Sequence, residues 1–177
     1  MKSKFIIACL LLTVTLISCK DDKTVEEVKP EEKPKTFDVT LNMVVNQDDN
    51  FQIFYTDEST PEFDEKKSLW VPVKGSPSAQ DIVFSLPEDV IPSNLRIDLG
   101  NNEKQVAMKL NNFKISYYDK SYELKDTLIL KNFVIGDQLK YDKATSTLIP
   151  NKATSSIYDP LLFPQDNLKE EILKIVK

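Results

Sequence analysis

From Phe37 onward, apolar side chains recur at every second position, and the recurrence lapses only where turn-forming residues interrupt it. Phe37, Val39, Leu41, Met43 and Val45 alternate with Asp38, Thr40 and Asn42. A period of two sets one face of a strand against a core and leaves the other polar. It excludes an amphipathic helix over the same residues, which needs apolar groups every three or four. Asn46–Asn50 reads as a turn, Phe51–Thr56 as a second strand and Asp57–Lys67 as a polar loop. Leu69, Val71 and Val73 then alternate with Trp70, Pro72 and Lys74. Pro72 lacks the N–H that a ladder needs, so this strand belongs at a sheet edge.

The pattern continues through Ile82, Phe84 and Leu86 to Pro87, and through Leu95, Ile97 and Leu99 to Gly100. After Val106, Met108 and Leu110 the apolar phase slips by one, to Phe113, Ile115 and Tyr117. A slip of one residue turns a core face outward, so Asn111-Asn112 is expected to form a bulge that restores it. Tyr122–Leu124, Thr127–Leu130, Phe133–Ile135 and Thr145–Ile149 offer further strand material. Only the end reads as a helix, capped by Asp166 or Asn167, with Leu168, Ile172 and Ile175 on one face. Short strands separated by turns predict an all-β fold, an antiparallel β-sandwich with a short C-terminal helix, over residues 37–177.

Ahead of this domain the composition changes twice. Lys2 and Lys4 precede an apolar run from Phe5 to Ile17 that is too short to span a bilayer, which takes ~20 residues. It ends in Leu16-Ile17-Ser18-Cys19. This segment resembles a bacterial lipoprotein signal. The resemblance implies that residues 1–18 are removed and that Cys19 becomes a lipidated N-terminus (a palmitate-type anchor). Two or three acyl chains on one residue anchor stably, at about 0.8 kcal/mol per buried CH₂. Residues 20–36 are charged and contain prolines, with two valines as their only large apolar groups. They read as an extended tether. Lys20-Asp21-Asp22 resembles the surface-export signal of Bacteroidetes-type lipoproteins, which implies the outer membrane and the cell surface. The alternative is a lipoprotein facing the periplasm.

Without residues 1–18 the chain keeps 21 basic and 28 acidic side chains, a side-chain charge of −7. Such a chain repels phosphate backbones, so no nucleic-acid partner is expected. Cys9 leaves with the signal and Cys19 carries lipid, so no disulfide is expected. The chain has no His, which removes the commonest general base and the commonest transition-metal ligand. The expectation is a non-enzyme without cofactor or metal.

Asp48-Asp49-Asn50-Phe51-Gln52-Ile53-Phe54-Tyr55, Ile82-Val83-Phe84-Ser85-Leu86-Pro87 and Leu95-Arg96-Ile97-Asp98-Leu99-Gly100 occur in that order. Together they resemble jelly-roll, carbohydrate-binding-module-like domains of bacterial surface-polysaccharide proteins. The resemblance covers roughly residues 37–163, and it implies a sandwich associated with glycans. It carries no catalytic or ligand residue over to this chain.

Four residues are candidate ligand contacts. Trp70, the single Trp, points away from the apolar side of its strand, where it either stacks on a sugar ring or packs beneath the 57–67 loop or against a second sheet. Tyr118 lies opposite Ile115 and Tyr117. Arg96, the single Arg, and Asp98 share a strand face, either as a donor–acceptor pair for hydroxyls or as a clamp between strands. Asp48-Asp49-Asn50 has oxygens for Ca²⁺ but too few alone, and a plain Asx turn is the favoured reading. Asp64-Glu65 and Glu88-Asp89 are adjacent carboxylates in loops, unlike the separated pair that glycoside hydrolysis needs. The expected role is a lipid-anchored, non-catalytic surface protein that binds glycan or assists a glycan-handling complex. The alternative is an interaction lipoprotein docking an envelope partner through its C-terminal helix.

Overall fold

The computed structural model describes residues 35–151 and 157–177. The signal, Cys19 and the tether as far as residue 34 lie outside the described residues. Eleven strands among the described residues form two antiparallel sheets, the sandwich that the alternation requires. In the first sheet β1 (Phe37–Val44) lies between β4 (Gln80–Ser85) and β6 (Met108–Tyr117). On its other edge β6 pairs twice, its start with β10 (Thr147–Pro150) and its end with β7 (Lys120–Lys125). β9 (Leu139–Asp142) closes that sheet beside β10. The second sheet runs β3 (Ser68–Val73), β2 (Asp49–Thr56), β5 (Asn94–Asp98), β11 (Leu161–Pro164) and β8 (Phe133–Ile135). Pro72 does sit on an edge strand, where its missing N–H breaks no ladder.

Phe37, Val39, Leu41 and Met43 of β1 share one core with Phe51, Ile53 and Tyr55 of β2 and with Leu95 and Ile97 of β5. Burying each such side chain contributes about 1.5–3 kcal/mol, and among the described residues, which include no Cys, packing of this kind holds the body together. The bulge lies at the expected place. Asn42 pairs with Asn112 and Met43 with Leu110, so Asn111 is the extra residue. Its Nδ2 donates to Asn42 Oδ1 at 2.8 Å. Leu110 and Phe113 therefore both point inward.

Some elements depart from expectation. Thr127–Leu130 lies in a 3₁₀ helix, Asp126–Lys131, entered through Asp126 at φ 51°. A positive φ redirects the chain and breaks the strand before it can pair. β9 and β11 carry no clear alternation, and partner strands define them instead. The helix α1 (Asp166–Val176) has Gln165 as its N-cap rather than Asp166 or Asn167. The Gln165 amide donates to the carbonyls of Leu130 (2.8 Å) and Phe133 (3.0 Å), fixing the helix start to the chain beneath it. Asp166 occupies the first turn, where the helix dipole favours a negative charge. Leu168, Ile172 and Ile175 are buried in the core, because α1 packs on β5 of one sheet and on β6 and β7 of the other. The face expected to dock a partner is thus internal.

β1 also sets the ends of the body. The chain enters it at Phe37 and leaves at Val44, so the entry and the β1–β2 turn lie ~24 Å apart.

Candidate functional site

Strand register brings three of the four candidates onto one outer face. Trp70 of β3 pairs with Gln52 of β2, and Gln52 pairs with Asp98 of β5. Aligned partners point to the same side of a sheet. Arg96 lies on that face one row further along, opposite Phe54. Trp70 does not pack beneath the loop. It is 52% exposed, whereas Gln52 beside it is 3% exposed. Gln52 is covered because its Nε2 donates to Glu65 Oε2 (3.0 Å) and to Ser68 Oγ (2.9 Å).

The Arg96–Asp98 pair is closed in. Arg96 Nε donates to Asp98 Oδ1 at 2.9 Å and Nη2 to Oδ2 at 2.8 Å. Its guanidinium lies 3.9 Å from the Phe54 ring centre and 5.6 Å from that of Phe63 in the 57–67 loop. Cation–π contact on both rings ties the loop to the sheet. Burial holds the Asp98 carboxyl above its ordinary pKa against the pull of Arg96, and Asp159 and Glu65 add to the rise. Burial raises Asp159 as well, with Arg96 opposing and Glu65 adding. Asp98 and Asp159 thus both answer to the Arg96 guanidinium, and the Glu65 carboxylate acts on both. In the sequence Glu65 reads only as one of two adjacent loop carboxylates and Asp159 carries no signal, since each comes to this region from a different loop. Asp64, its neighbour, caps the short 3₁₀ helix Glu65–Lys67 by accepting from Lys66 N at 2.8 Å.

Beyond Trp70 the same face opens into a cleft of about 500 Å³ at the β1–β2 end of the body, lined by Asp48, Asn50, Pro72, Lys74, Asn101 and Asn102. Pro72 follows Trp70 by two residues, ~7 Å along the strand, and pairs with Asn50. The Asp49 carboxylate forms the cleft floor. Its Oδ1 accepts from the backbone N–H groups of Asn50 (2.9 Å), Asn101 (2.9 Å) and Asn102 (3.0 Å), and its Oδ2 accepts from Gln105 Nε2 (3.0 Å). Gly100 makes this possible, since its φ is 97° and a Cβ there would collide with the Asp49 carboxylate. Asp48 pairs with Lys74 and accepts from Gly75 N (2.8 Å), and the Lys74 bond first, then Gly75, lowers its pKa. These carboxylates already serve N–H donors, as an Asx turn does. No group of three or more His, Cys, Asp or Glu among the described residues is placed to hold a metal ion.

Tyr118 does not join this face. It is not a strand residue but the first of the two-residue β6–β7 turn, at φ 54° and 62% exposed. It stands edge-on to Tyr117, with ring centres 4.6 Å apart. Its surroundings, a second cleft of about 630 Å³ with Thr36, Asp38, Lys114 and Lys120, belong to the first sheet, near the chain entry.

Comparison with protein-family models, with curated proteins and with solved structures finds no match for this chain.

Proposed function

We propose that this chain is a lipid-anchored, non-catalytic protein of the outer membrane that binds glycan at the Trp70 face, by itself or as an accessory of a glycan-handling complex. The observation that carries the reading is the half-exposed indole of Trp70 next to a cleft bordered by Pro72, Asn50 and Asn101. Sugar C–H groups stack on an aromatic face while amides pair with hydroxyls, and pockets of 300–1,000 Å³ with a few placed polar groups are the common form of ligand site. Arg96 and Asp98 serve as the clamp beneath the loop. Glycan arrays on the purified chain test the reading, with Trp70→Ala as control. Binding that the substitution abolishes supports it, and equal binding by both proteins removes Trp70 from the site. The anchor is tested separately: labelled palmitate should enter the chain and should not enter Cys19→Ser.

An interaction role has one observation in its favour, although not at α1. Val134 and Phe163, paired across β8 and β11, are both exposed on the second sheet. Val134→Lys together with Phe163→Lys would release an envelope partner held there.

A further inference from the structure

We infer that the Trp70 cleft selects uncharged sugars and rejects uronates and other anionic rings, an inference that rests on the glycan reading above. Each charge at the cleft is already matched. Asp49 is saturated by three backbone N–H groups and the Gln105 amide, and Asp48 holds Lys74. Arg96 is the cation best shaped to clamp a carboxylate, because its fork presents parallel donors. Here its Nε and Nη2 are taken by Asp98 and its face by Phe54, so its side-on donor edge is spent within the fold.

What remains open is neutral. The side-chain amides of Asn50 and Asn101 are exposed and have no hydrogen-bond partner among the described residues. Each offers two donors and an acceptor, the complement of a sugar hydroxyl that both gives and takes. The Asn102 amide is fixed against the Asp48 carbonyl at 2.8 Å, so it shapes the wall and leaves recognition to the other two. Pro72 and Trp70 add an apolar strip along the same face. An anionic ring in this place would meet no unmatched cation, and it would approach a chain of negative net charge.

The test is calorimetry on the full chain in detergent, titrated with a panel of neutral oligosaccharides and their uronate counterparts at low and high ionic strength. Neutral members should bind with affinities that change less than about twofold with salt, since no free charge takes part. Uronates should bind at least about tenfold more weakly. Asn50→Ala and Asn101→Ala should each weaken binding about fivefold, the value of one neutral hydrogen bond. Uronate binding as tight as or tighter than that of the neutral sugars, or neutral-sugar binding that falls steeply with salt, overturns the inference and leaves the glycan reading standing. Absence of binding by every sugar in the panel overturns the glycan reading and the inference with it.

Discussion

Asp49 should hold the 100–105 segment against the sandwich, and its substitution gives a measurable cost. The carboxylate is nearly buried and accepts four hydrogen bonds between 2.9 and 3.0 Å, three from backbone N–H groups. Hydrogen bonds to a charged group contribute about 1.5–3 kcal/mol each, and bonds that share one acceptor do not add fully. Asp49→Asn can keep its oxygen toward the three backbone groups but presents an NH₂ to the Gln105 amide. Gln105 cannot turn over freely, because Oε1 accepts from Gln47 N and Nε2 donates to Gln47 O, both at 3.2 Å. One bond and the charge are lost, about 2 kcal/mol. Asp49→Ala leaves all four donors without an acceptor, about 4 kcal/mol. For a domain of this size the losses correspond to falls in Tm of about 6 and 12 °C. Thermal and urea unfolding at neutral pH, followed by circular dichroism, measures both. Hydrogen exchange should quicken at the Asn101 and Asn102 amides and stay slow along β1. An Asp49→Asn variant within about 0.5 kcal/mol of the parent refutes the argument, because the charge would then contribute nothing.

Gly100→Ala should destabilise by at least about 2 kcal/mol, through its positive φ and the collision with Asp49; an unchanged urea midpoint would show that the turn relaxes freely. Ile172→Ala should lose about 2–4 kcal/mol, since its side chain is buried in the core; a loss below about 1 kcal/mol would mean that α1 is only loosely docked. Tyr158 should titrate late, because burial, with Asp49 and Glu103 adding, pushes its phenol up to about 12. The folded pKa lies above the unfolded value of 10.0, so this stabilisation is complete below pH 10 and is lost as pH rises toward 12. Ultraviolet titration should show one phenol fewer in that window for Tyr158→Phe, and matching curves would contradict the assignment. The Tyr158 hydroxyl is buried with no partner among the described residues, so the same variant should be as stable as the parent at neutral pH.

Alternation made most of both sheets legible, because a strand half covered by core must repeat every two residues. The bulge was legible for the same reason, since only an extra residue near Asn111 reconciles Leu110 with Phe113. β9 and β11 were not, because four-residue strands defined by their neighbours leave too short a pattern. The inward turn of α1 was equally hidden, as an apolar helical stripe suits a partner and a core alike. At the site, Trp70, Arg96 and Asp98 fell on one face because two of them share a strand and the third aligns through Gln52. The cover over Arg96 comes from Phe63, and three of the four donors to Asp49 come from residues more than fifty positions away. Neither leaves a trace in local spacing.

β1 has one mechanical consequence. It is a central strand, bonded to β4 on one side and β6 on the other, and the chain enters the body at its first residue. A force drawing Thr36 away from the cleft end acts along β1 and loads both ladders in shear, so their hydrogen bonds resist together rather than parting one after another. An edge strand in that position would have peeled.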